Sequence, residues 1–297
     1  METKNVLREY QTPISIVLAG VLIAAAVYAS QSPRNETPAA AAQSDLQELV
    51  TPSSGVVLPV VWGDMGIRLV ASGTIDPDAL KRLYQERSEL PGEYDDLLTG
   101  RSSTPLKITR ANAGRLLNLL WAVGLANKNP ILEDRAEMMN PAYGGAGNFA
   151  STGGWTIAKG DPMSHYGKHA LIALTPQQQE LVDRVSRGIY RPCCGNSTHF
   201  PDCNHGMAML GLLQMMASQG VSEQDMYNAA LAVNAYWFPD TYEVIAAHLQ
   251  QKGVDWRQVP AQKILGADYS SATGFQNILS QVDAPSGSGG GGGGCSV

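Results

Sequence analysis

The chain has 297 residues, is 44% hydrophobic and carries a formal net charge of −6. That length and composition suffice for one large folded domain, and an acidic balance without a basic run excludes nucleic acid as the expected partner. Four cysteines are too few to scaffold a disulfide-dense fold of this size and suit a local site instead.

At the start, Lys4 and Arg8 precede an uncharged apolar run over residues 14–29, ISIVLAGVLIAAAVYA. A helix of that length spans about 24 Å, close to a bilayer core of about 30 Å. The expectation is a signal anchor over residues 1–30 that keeps its basic end inside, or a signal peptide cleaved after Ala29. Either one sends the rest of the chain to the extracytoplasmic face of a bacterial membrane, with the N-terminal helix as its membrane contact. Residues 31–54 are rich in Pro, Ala, Ser and Thr and read as a disordered linker.

The globular part is expected over residues 55–283, with a division into two subdomains near 140–175 as an alternative. GVVLPVVWGDMG, from Gly55, suggests a short strand that Pro59 weakens. Asp76-Pro77 starts a helix that runs to about Arg87, with Asp as N-cap and Pro in first position. Thr109 caps a longer helix whose Leu116, Leu120 and Val123 form an apolar face. The glycine-dense stretch over 140–162 lacks the frame of a phosphate-binding loop and reads as an irregular segment packed by Phe149 and Trp155. Thr175-Pro176 with Gln178 predicts a capping box and a helix. Further helices are expected from Cys203 to Gln219, after Ser222, and from Thr241 to Lys252. The fold class is therefore mainly α. Residues 284–297 form a glycine-rich tail, whose Cys295 is either a tethered thiol able to cross-link to a protein partner or part of an inert tail.

Seven of the nine Cys and His residues fall between His165 and His205. Cys193, Cys194 and His199 occupy a loop between Pro192 and Pro201, and Cys203 and His205 open the next helix. Side chains on such a helix–loop–helix elbow can converge on one zinc ion, although the spacing is not the paired C-x2-C pattern. Adjacent cysteines neither bridge one another nor share a small ion easily, because their Cα atoms are only about 3.8 Å apart. Two arrangements stay open: a disulfide from Cys193 or Cys194 to Cys203, or Cys194, Cys203, His199 and His205 as four ligands. Cys203 at a helix N-terminus, near Arg191, gains thiolate character.

Upstream, DPMSHYGKH would place His165 and His169 on one helical face with Asp161 a turn earlier. A fold-back of this segment is expected to bring His165 into the pocket of Cys194 and Cys203, with His169 more peripheral. Met209, one turn after His205, could add a thioether for copper, against core packing as the ordinary role of methionine.

From Thr175 to Phe238 the chain resembles two bacterial groups. LTPQQQELVDRV, the cysteine loop, DCNHGMAML and QGVSEQDM are similar to the thiol subunit of cytochrome c maturation. RPCC followed by His199 and Asp202-Cys203 resembles the exported, metal-associated PCYCGC-motif proteins. The CxxC pair of the first group and the full string of the second are absent. The first resemblance implies thiol–disulfide exchange or haem-thiol handling with Cys193 and Cys203 as the thiols. The second implies a metal. The leading expectation is a membrane-tethered, exported helical protein holding a transition metal at the elbow, zinc ahead of copper. Haem is a remoter cofactor, and a surface scaffold with a purely structural site is the third reading. Whether the protein is an enzyme is open.

Overall fold

The computed structural model describes residues 38–86 and 92–282. The expected anchor and the Cys295 tail lie outside the described residues. From Asp45 onward the described residues cluster as one compact unit.

The described chain is mainly helical, as expected. α1 (Pro38–Val50) replaces half of the expected disordered linker. Its Ala, Gln, Leu and Glu residues are good helix formers, and Leu46 and Val50, one turn apart, pack on a hydrophobic cluster with Tyr242, Ile245 and Ile278. β1 (Val56–Gly63) follows, then α2 (Met65–Ala71), α3 (Pro77–Glu86) and α4 (Gly92–Thr99). β2 (Ser102–Ile108) pairs antiparallel with β1, Val56 opposite Ile108 and Val61 opposite Pro105.

The β1 strand survives Pro59 because the ladder is irregular between Val57 and Val61, where a missing donor costs no regular bond. Its outer edge is capped by a side chain. Gln219 accepts from the Val61 N–H and donates to the Val61 carbonyl, both at 2.8 Å. Leu58, Val60, Trp62, Leu106 and Ile108 turn to the core.

α5 (Ala113–Ala126) begins four residues after the expected Thr109 cap. Thr109 and Asn112 exchange side-chain to backbone bonds, forming a turn before the helix rather than its first turn. A long irregular segment with α6 (Ala150–Gly153) leads to α7 (Pro176–Arg187), which starts with the expected capping box on Thr175 and Gln178. α8 (Asn204–Ser218), α9 (Glu223–Trp237) and α10 (Pro239–Gln251) follow. Three short helices, α11 (Ala261–Leu265), α12 (Ala267–Ser270) and α13 (Ala272–Leu279), close the described chain.

α5 and α8 are almost wholly buried and form the centre. They approach closely because Gly124 and Gly211 face one another. A Cβ built on Gly124 would lie 1.9 Å from the Met207 carbonyl oxygen, and one on Gly211 would lie 2.3 Å from that of Leu120. This crossing anchors the N-terminus of α8, where the cysteines gather.

Candidate metal centre

The elbow between α7 and α8 is tied down at its ends. Tyr190 and Ser197 form an isolated antiparallel bridge, and the Thr198 N–H donates to the Ile189 carbonyl at 2.8 Å. The C-terminal helices hold its outer side: the Tyr190 N–H donates to the Leu265 carbonyl and the Ala272 N–H to the Cys194 carbonyl. These contacts set the loop that carries Cys193 and Cys194.

Cys203 is the N-cap of α8, as the sequence indicated. Its sulfur accepts from the Gly206 N–H at 3.4 Å. Arg191 lies beside it with no solvent exposure. Its Nε–H donates to the Cys203 sulfur at 3.2 Å, and its Nη2 donates to the Phe200 carbonyl at 3.2 Å and to Asp202 Oδ1 at 2.7 Å. Asn196 donates to the second oxygen of Asp202 at 2.8 Å. Gly206 leaves room for the guanidinium, because a Cβ there would lie 2.6 Å from Arg191 Cζ.

Two donors and a helix N-terminus thus converge on Cys203, an arrangement that favours a thiolate. Burial by itself would lower the Arg191 pKa, but the neighbouring Cys203, Cys194 and Asp202 outweigh it and hold the guanidinium charged. Cys193 is pushed up by hydrogen bonding with Cys194 and Cys203 and then by burial, so without a metal it keeps its proton. Cys194 is pushed up to about 11: the hydrogen bond with Cys193 lowers it, but the bond with Cys203 and burial raise it by more.

The three described cysteines are free thiols. The Cys193 and Cys203 sulfurs are 3.5 Å apart. Together with His205 they offer three ligand atoms within 4.8 Å of one another, and Cys194, Asp202 and Cys203 form a second such group. His205 packs against Phe238, ring centroids 4.4 Å apart, and Trp237 at 5.6 Å. Its Nδ1 is buried without a hydrogen-bond partner.

Other residues expected at this site lie elsewhere. His199 leaves the cysteines: its Nδ1 lies 2.7 Å from Glu137 Oε2 and its Nε2 lies 2.7 Å from Asp183 Oδ1, so both ring nitrogens are engaged away from the sulfurs. His165 is buried, with its Nδ1 3.0 Å from His169 Nε2 and its Nε2 3.0 Å from the Lys159 carbonyl. Neither His165 nor His169 belongs to a metal-capable group among the described residues. The upstream segment forms a single 3-10 turn, Pro162–Ser164, and Gly167 takes a left-handed φ of 61°, which breaks the expected helical face. Asp161 caps that turn by accepting from the Met163 N–H and belongs to no metal-capable group among the described residues. Met209 is fully buried in the main core.

Asp202, and Asp134, Glu137 and Asp183 around His199, escaped the sequence reading. Asp202 stood in plain view next to Cys203. The others come from elements remote in sequence, and no local pattern marks them. No family model matches the chain, and no similar curated protein or solved structure was found. Fold and site define a mainly α protein with Cys, His and Asp groups arranged so that they could hold a metal ion.

Proposed function

We propose that the protein binds a transition metal through Cys193, Cys203 and His205, with zinc as the ion and Cu(I) as the alternative. The observation that carries this reading is the buried, unpartnered Nδ1 of His205 on a residue grouped with two cysteine sulfurs. A buried polar atom without a partner calls for one, and a borderline metal takes imidazole and thiolate together. The sulfur spacing fits. Zn–S bonds of about 2.3 Å at tetrahedral angles put two sulfurs about 3.8 Å apart, near the 3.5 Å between Cys193 and Cys203. Bound metal would draw the proton from Cys193. Arg191 then offsets the negative charge of the thiolates.

The cellular setting of this reading rests on the sequence: an exported chain tethered by residues 14–29. Among the described residues no helix is long and apolar enough to cross a membrane.

The test is metal analysis of the full chain isolated from the exported compartment, followed by cobalt substitution. One sulfur-bound ion per chain, read from sulfur-to-cobalt charge-transfer absorption, is expected. A metal-free protein with a Cys193–Cys203 disulfide would overturn the proposal.

A second reading, thiol–disulfide exchange, draws on the same 3.5 Å separation. Cys193 and Cys203 would lose two protons and two electrons to a partner disulfide, which leaves as two thiols. The metal reading is preferred because it also gives the buried Nδ1 of His205 a partner, which disulfide exchange does not.

A further inference from the structure

We propose a second cation site, independent of the sulfurs, formed by Asp134, Glu137 and His199 and suited to a divalent ion that prefers oxygen and imidazole. These three residues present ligand atoms within 4.8 Å of one another. They come from separate parts of the chain. Asp134 and Glu137 follow the 3-10 turn Pro130–Glu133, whereas His199 belongs to the elbow. His199 is only 2% exposed, so its orientation is set by packing.

The site opens on a cavity of about 370 Å³ lined by Asp134, Gln179, Glu180, Asp183, Arg187 and His199. Three carboxylates, those of Asp134, Glu180 and Asp183, line this space against one arginine, and Glu137 stands on His199. Glu180 is 3.9 Å from Arg184, an exposed pair of little strength. Arg187 is already committed to Asp183, at 3.1 and 3.2 Å. The cavity therefore carries an excess of negative charge and attracts a cation.

His199 has the surroundings of a metal ligand. In such sites the ring nitrogen that does not bind metal donates to a carboxylate, which sets the tautomer. Asp183 is placed for that role, with its Oδ1 2.7 Å from Nε2. Arg187 Nη2 also lies 2.7 Å from Nε2 and would donate to it in the other tautomer, whose Nδ1–H faces Glu137; metal at Nδ1 requires the tautomer with its proton on Nε2. With the proton on Nε2, the lone pair of Nδ1 faces Glu137 Oε2 at 2.7 Å. A separation of 2.7 Å is that of a shared proton, which a divalent ion held also by Asp134 would displace; carboxylate and imidazole donors suit Mn(II), Fe(II) or Zn(II).

The competing occupant is a second proton, which would make His199 an imidazolium clamped by two carboxylates. Titrating the full chain with Mn(II) alone and following the loss of the free-ion EPR signal separates the two. One Mn(II) per chain is expected. Glu137→Gln should abolish binding, and Asp134→Asn, whose side-chain oxygen can still cap the Ala136 N–H, should do the same while the circular dichroism stays native. Asp183→Asn should weaken binding by about 10–100-fold. Cys203→Ser should leave it unchanged, which keeps this result separate from the fate of the sulfur site. Absence of Mn(II) binding to the native chain, or binding indifferent to Glu137→Gln and Asp134→Asn, would overturn the proposal.

Discussion

The sulfurs of Cys193 and Cys203 lie 3.5 Å apart, with the buried guanidinium of Arg191 donating to one of them. That separation is too long for a disulfide, at about 2.05 Å, and close to the gap between two thiolates on one tetrahedral ion. Cys203 also caps α8, so a substitution there must be chosen with the cap in mind.

Serine is a good N-cap. Cys203→Ser should therefore retain the helical circular dichroism while losing the sulfur-bound metal. Sulfur-to-cobalt charge-transfer absorption reports the second effect. A variant that retains this absorption would place the ligands elsewhere.

Arg191 is wholly buried and paired with Asp202 at 2.7 Å. Arg191→Met removes one partner and leaves a carboxylate without its cation. Breaking a buried pair in this way costs about 3–5 kcal/mol, to be read from urea unfolding. Arg191→Lys should recover little, because an ammonium cannot reproduce the planar fork that spans Cys203, Phe200 and Asp202.

At the α5–α8 crossing the usual sign of a glycine substitution reverses. Gly→Ala within a helix ordinarily stabilises by about 1 kcal/mol. At Gly124 the new methyl would lie 1.9 Å from the Met207 carbonyl oxygen, and overpacking of that kind costs about 1–3 kcal/mol or more. Gly124→Ala should lower the urea midpoint. Gly114, with nothing within 4 Å of its Cβ position, is the control and should be neutral or stabilised.

The His165–His169 pair gives stability a pH dependence. Burial, and then the charge of His165, lowers the pKa of His169 from 6.5. The folded chain keeps this ring neutral at pH values where the unfolded chain has begun to take a proton. The contribution is complete above about pH 6.5 and is lost as the pH falls toward the depressed native value. His248 is lowered too, by burial and then by Lys252, and acts in the same direction. Urea midpoints should drop between about pH 7.5 and 5.5, and His169→Gln should flatten part of that slope. A slope unaltered by this change would assign the effect to other groups.

Much of the helical architecture is legible in local chemistry. Thr175-Pro176-Gln178 encodes a capping box within four residues, and it forms as written. Cys203 and Ser222 lead their helices for the same reason, because a cap is decided by its own side chain and the next three N–H groups. The concentration of Cys and His residues marks the region that holds the sulfur cluster. β2 was not legible, because Pro105 obscures the strand and a two-stranded pairing declares itself only once both partners are known. α1 was hidden by an alanine-rich composition that serves a spacer and a helix alike.

The division of the histidines was decided by tertiary structure alone. His199 and His205 are six residues apart, and spacing made them equal candidates. Packing sends His205 toward the sulfurs, against Trp237 and Phe238, and turns His199 to Glu137, 62 residues earlier in the chain, and Asp183, 16 earlier. Residue types and local caps announce which ligands a chain has. Which of them meet depends on carboxylates and aromatic rings brought in by other helices, because a coordination shell is a three-dimensional convergence that no single stretch of chain contains.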